Sequence, residues 1–101
     1  MPTRKKSVFD EFLADELQDD LAQRGLGHLR VRRRAELLVV ESGPRNASVP
    51  RVRFRRETVH LWRLEFPTHT GKWETTPFRD PLTRLLDTLI KDFPWILGNE
   101  T

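Results

Sequence analysis

Apolar positions fall into two periodic regimes along the chain. Phe9, Phe12, Leu13, Leu17 and Leu21 recur at spacings of three and four, which predicts a helix over 8–24 with Ser7 as its N-cap. Gly25 stands where a left-handed C′ residue belongs, and Leu26 can fold back on Leu21, the contact of a Schellman ending. The far end repeats the helical period. Leu82, Leu85, Leu86, Leu89, Ile90 and Phe93 make one apolar stripe, Asp80 and Pro81 read as N-cap and first helical residue, and Pro94 stops the helix. Between the helices the period drops to two. The stretch 29–41, LRVRRRAELLVVE, alternates and then runs β-branched, so it reads as one strand. SGPRNASVP, 42–50, is a loop. Strands follow over 51–56 and 59–66, joined by a tight turn near Glu57 and Thr58, with one long bent strand as the alternative. PTHTG then makes a hairpin loop before a strand over 72–78.

The expected fold is α+β: an N-terminal helix, a four-strand antiparallel meander and a C-terminal helix, with both helices on one sheet face because neither is apolar all round. One domain over 7–97 is expected, between a basic flexible stretch at 1–6 and a tail at 98–101. Strand parity turns Val52, Phe54, Trp62, Leu64, Phe66 and Trp73 inward. The same parity turns Arg51, Arg53, Arg55, Arg63 and Lys72 outward, together with Arg30, Arg32 and Arg34. Arg33 breaks the alternation, so a bulge or a buried ion pair is expected there.

Charge sharpens this picture. The chain has 101 residues and net charge +3, but residues 25–63 hold ten arginines against Glu36, Glu41 and Glu57, while both flanking segments are acidic. A basic stripe on one sheet face is the electrostatic footprint of a nucleic-acid phosphate binder. Two other readings stay open: a face that docks an acidic protein partner, and a solvated face partly neutralised by Glu65 and Glu74. Sequence-tolerant single-strand binding calls for exposed aromatics. Trp62 and Trp73 facing outward would therefore raise that reading, whereas parity assigns both to the core.

Catalytic resources are few. Cysteine is absent, and His28, His60 and His69 lack metal-ligand spacing, so no metal or cofactor is expected. No phosphate loop, dinucleotide fingerprint or nucleophile elbow occurs. A metal-free ribonuclease or toxin-like enzyme would need a base, an acid and a cation around one phosphate, which His60 or His69 with Arg63 and Glu65 could supply. No run reaches the ~18 to 20 apolar residues of a membrane span, and residues 1–6 are not followed by the apolar stretch of a secretory signal, which points to a cytoplasmic chain without membrane contact.

The acidic helix face at Asp10, Glu11, Asp15, Glu16, Asp19 and Asp20 complements the basic sheet, and Trp95, Ile96 and Leu97 follow the last helix stop. Together they predict a homodimer, against a monomer whose tail tucks under its own first helix. The succession RVRFRRETVHLWRLEF, GKWETTPF and DPLTRLLDTLIKDFPW resembles small bacterial domains of unknown function in which two Trp-bearing strands lead to a C-terminal helix. The resemblance covers roughly residues 29–97 and implies a compact helix, sheet, helix fold with no catalytic residue assigned.

Overall fold

The computed structural model describes residues 7–97, with side chains from residue 12 onward. The expected Ser7 cap, the Phe9, Asp10 and Glu11 side chains and both terminal stretches lie outside the described residues. Helix α1, Ser7–Gln23, buries Leu17 and Leu21, with Leu13 and Ala14 packed beside them. Its end is the Schellman motif that the sequence predicts. Leu26 N–H donates to Leu21 O at 2.8 Å, Gly25 N–H donates to Ala22 O at 3.1 Å, and Gly25 adopts φ +81°. Leu21 and Leu26 both join the core, so the cap also fixes where the chain enters the sheet. Phe12, expected on the apolar stripe, is more than half exposed.

Five strands follow in a simple meander of order β1-β2-β3-β4-β5: β1 Arg30–Arg34, β2 Leu37–Ser42, β3 Val49–Arg56, β4 Trp62–Pro67 and β5 Trp73–Asp80. The expected single strand over 29–41 is two strands. Arg34 pairs with Leu37, leaving Ala35 and Glu36 as a two-residue turn in which Ala35 takes φ +53°. Hairpin turns of this length want a positive φ, and Ala carries a Cβ penalty there that Gly, Asn or Asp would avoid or lessen. The turn is thus set by strand pairing against turn chemistry.

The β3 to β4 connection is five residues rather than a tight turn at Glu57 and Thr58. Thr58 Oγ1 accepts from Leu61 N–H at 3.1 Å, and Glu57 N–H donates to Leu61 O at 2.8 Å. Val59 and His60 consequently sit exposed in a loop instead of in a strand. Strand β5 runs on to Asp80, so Asp80 pairs with Trp62 and does not cap the last helix. The N-cap of α2, Leu82–Asp92, is Pro81, with no side-chain cap.

One core lies between the inner sheet face and both helices. Leu38, Val40, Val52, Phe54, Trp62 and Leu64 of the sheet cluster with Leu17 and Leu21 of α1 and with Leu85, Leu86 and Leu89 of α2. Arg24 ties the helices together, bonding Asp20 at 2.8 Å and reaching Asp87 of α2 at 2.6 Å. After α2, a short 3-10 turn at Pro94–Leu97 buries Leu97, packs Ile96 and leaves Trp95 exposed. Trp95 caps an aromatic cluster in which Phe93 meets Phe66, Phe78 and Trp95 edge-on at 5.3 to 5.8 Å. No helix among the described residues is long and apolar enough to cross a membrane.

Ala35→Gly relieves the left-handed strain at the β1 to β2 turn and should raise unfolding free energy by about 0.5–1 kcal/mol, after the greater freedom of Gly in the unfolded chain is discounted. Urea unfolding of the two proteins measures the gain; unchanged or lower stability would contradict the turn as described.

Candidate functional site

The outer sheet face is uncovered by either helix and carries seven arginines of the described residues. Register fixes who stands beside whom. Arg34, Leu37, Arg55, Arg63 and Arg79 form one row across all five strands, each paired with the next. Four arginines thus lie in a line about 19 Å long, from strand spacing alone. The neighbouring row is Arg32, Val39, Arg53, Glu65 and Thr75. Val39 is buried there although it faces away from the helices, and its register neighbours Arg32 and Arg53 offer aliphatic stems as cover.

Like charges opposite one another on adjacent strands destabilise a sheet. Three glutamates offset this, each serving two arginines. Glu65, only 2% exposed, receives Arg53 Nε at 2.7 Å, Arg55 Nε at 3.0 Å and Thr75 Oγ1 at 2.9 Å. Burial, the strongest single influence, pushes its carboxyl upward, but the hydrogen bonds from Arg55, Arg53 and Thr75, with the charge of Arg53, together hold it below the usual carboxylate range. Glu41 is buried and takes Arg32 Nε at 2.9 Å, with Arg30 at 3.8 Å. Glu57 binds Arg63, and Arg79 Nε at 2.9 Å, and the Arg63 hydrogen bond leads in lowering its carboxyl.

Arg30, Arg32, Arg34, Arg53, Arg55 and Arg63 therefore lie where parity put them, on the open face. Arg51 does not. Val40 pairs with Val52 but Glu41 pairs with Pro50, so Arg51 is the extra residue of a bulge and donates to Ser42 Oγ at 2.8 Å instead of extending the row. Of the two expectations at Arg33 the bulge is absent, since β1 and β2 pair without a shift, and Arg33 lies half-buried opposite Leu38. Arg79 belongs to the site and escaped the pattern because its strand was expected to end at Phe78. Lys72 and His69 belong to the β4 to β5 loop. Glu74 pairs with Phe66 on the other parity, so it is not a neutraliser of this face.

The two tryptophans divide. Trp62 is core, as expected, with Arg56 over its ring at 5.5 Å. Trp73, expected inward, faces out: it pairs with Pro67 and shares the side of Thr75 and Glu65, with the Arg53 guanidinium 4.5 Å from its ring centroid. Each such stack contributes about 0.5–1 kcal/mol at a partly exposed site and holds both planar groups in place.

Of the residues a ribonuclease would use, His60 and His69 lie in the loops before and after β4, and Glu65 accepts from Arg53, Arg55 and Thr75, so its carboxylate is engaged within the sheet. Among the described residues no group of three or more His, Asp or Glu side chains could hold a metal. No family model, curated protein or solved structure matches the chain.

Glu65→Gln should destabilise the protein by about 3 kcal/mol, the low end for breaking a buried ion pair. Because the folded Glu65 carboxyl lies below its unfolded value, its stabilisation is complete above the unfolded pKa and is lost as pH falls through the folded one. Stability measured from pH 7 to pH 2 should therefore fall less steeply in the Gln variant; superimposable acid limbs would contradict the Glu65 cluster.

Proposed function

We infer that the open sheet face binds nucleic acid through its phosphates, and that single strands are its preferred form. The observation that carries this reading is the row Arg34, Arg55, Arg63 and Arg79, aligned across the sheet at a cost in like-charge repulsion. Among the described residues six arginines on this face share three carboxylates and Arg34 stands beside them, so positive charge remains after every pairing. The carboxylates fix the guanidinium groups in place without neutralising them, and Arg34 has no ion-pair or hydrogen-bond partner among the described residues. Pre-set guanidinium forks lose little freedom on meeting a phosphate.

Trp73 favours single strands over duplex. A base stacks on an aromatic ring without regard to sequence, and half-buried Trp73 stands on the arginine face beside the guanidinium of Arg53. A broad sheet face, by contrast, does not enter a duplex groove, where recognition calls for a helix or a narrow ribbon.

Fluorescence anisotropy with a labelled single-stranded oligonucleotide tests the reading. Binding should weaken with salt, with a log–log slope of about −3 if four phosphates are neutralised. The double variant Arg34→Ala/Arg79→Ala should reduce that slope by about 1.4, while Arg84→Ala on the helix side should leave it unchanged. Absence of binding at low salt, or equal slopes in all three proteins, would overturn it.

A further inference from the structure

At one corner of the open face, where β1 and β2 meet the loop after β2, lies a polar cleft of about 690 Å³. Its size is that of a small-ligand site, but its lining is charged. Arg30, Arg32, Arg45, Glu41, Asn46 and Ser48 converge on it.

The walls are held in position. Gln18 of α1 spans the free edge of β1, donating to Leu29 O at 2.6 Å and accepting from Val31 N–H at 2.9 Å, so the strand carrying Arg30 and Arg32 is pinned to the helix. Arg30 fastens the loop, bonding the Gly43 carbonyl and, at 2.9 Å, Ser48 Oγ. Arg32 is fixed on Glu41. Arg45 differs, since its guanidinium has no ion-pair or hydrogen-bond partner among the described residues and it is exposed at the cleft.

Three arginines against one glutamate leave two positive charges. A phosphomonoester carries about −1.5 to −2 at neutral pH and presents three acceptor oxygens, whereas an internal phosphodiester carries one charge. Charge, donor number and volume match the first and leave room for a sugar and base. We propose that this cleft binds a phosphomonoester of nucleotide size, either a free nucleoside monophosphate or the terminal phosphate of a strand. Arg45 is the residue that closes on the phosphate. The site stands independently of polymer binding along the arginine row.

Calorimetry with the full chain at low salt decides it. Adenosine 5′-monophosphate should bind and adenosine should not, Arg45→Ala should weaken the nucleotide at least tenfold, and Arg84→Ala on α2 should not change it. Binding should fall below about pH 6, as the phosphate takes up its second proton. A 5′-phosphorylated oligonucleotide that binds more tightly than its 5′-hydroxyl twin, and loses that advantage in Arg45→Ala, places the strand end in the cleft; equal binding of the twins with retained nucleotide binding identifies the free nucleotide. Adenosine binding as well as its monophosphate, no binding by either, or an Arg45→Ala variant like the parent would overturn the proposal. The 5′-hydroxyl oligonucleotide reports on the arginine row alone, so failure of one site is not mistaken for failure of the other.

Discussion

One carboxylate organises the open face. Glu65 on β4 is buried although it lies on the side of the sheet without helices, and it is met by Arg53 and Arg55 from β3 and by Thr75 from β5. A lone buried carboxylate would be costly, and three adjacent arginines in register would repel one another. At Arg55 each problem is answered by the other, and Glu57 does the same for Arg63 and Arg79. The same rule repeats at Glu41 and Glu57, where one acid again serves two arginines. An acid shared in this way fixes two guanidinium groups and cancels one charge, so rigidity and residual positive potential arise from a single arrangement.

The rest of the fold supports that face. The inner side of the sheet takes nearly all the large buried apolar groups, and both helices close over it, which leaves the outer side without a core of its own. Val39 is the exception, buried with Arg32 and Arg53 as its register neighbours. Their aliphatic stems give these arginines a structural share in the sheet as well as a charge to present, and replacing them removes both.

Both helices were legible in the sequence because the apolar period and the stop agreed, down to the Gly25 and Leu26 ending of α1. The strands were legible by existence more than by boundary. The turn at Ala35 and Glu36 carries no Gly, Asn or Pro, so nothing local announced that 29–41 doubles back. Parity read along a strand found six of the seven arginines on the face, but it cannot see a bulge, and Arg51 was lost from the row for that reason. Trp73 went to the wrong side because the β4 to β5 register, not the hydrophobicity of the residue, sets where it points. Arg79 was hidden because Asp80 reads as a helix cap, whereas it ends β5 and Pro81 is the N-cap of α2.

The arginine side-chain Nε–H resonances give the most direct view of this face, since each reports its own guanidinium. On addition of a single-stranded oligonucleotide at low salt, the signals of Arg34, Arg55, Arg63 and Arg79 should shift together, while Arg24 between the two helices and Arg84 on α2 stay in place. Shifts spread evenly over all arginines, or confined to those on the helix side, would contradict a cationic row built on shared carboxylates.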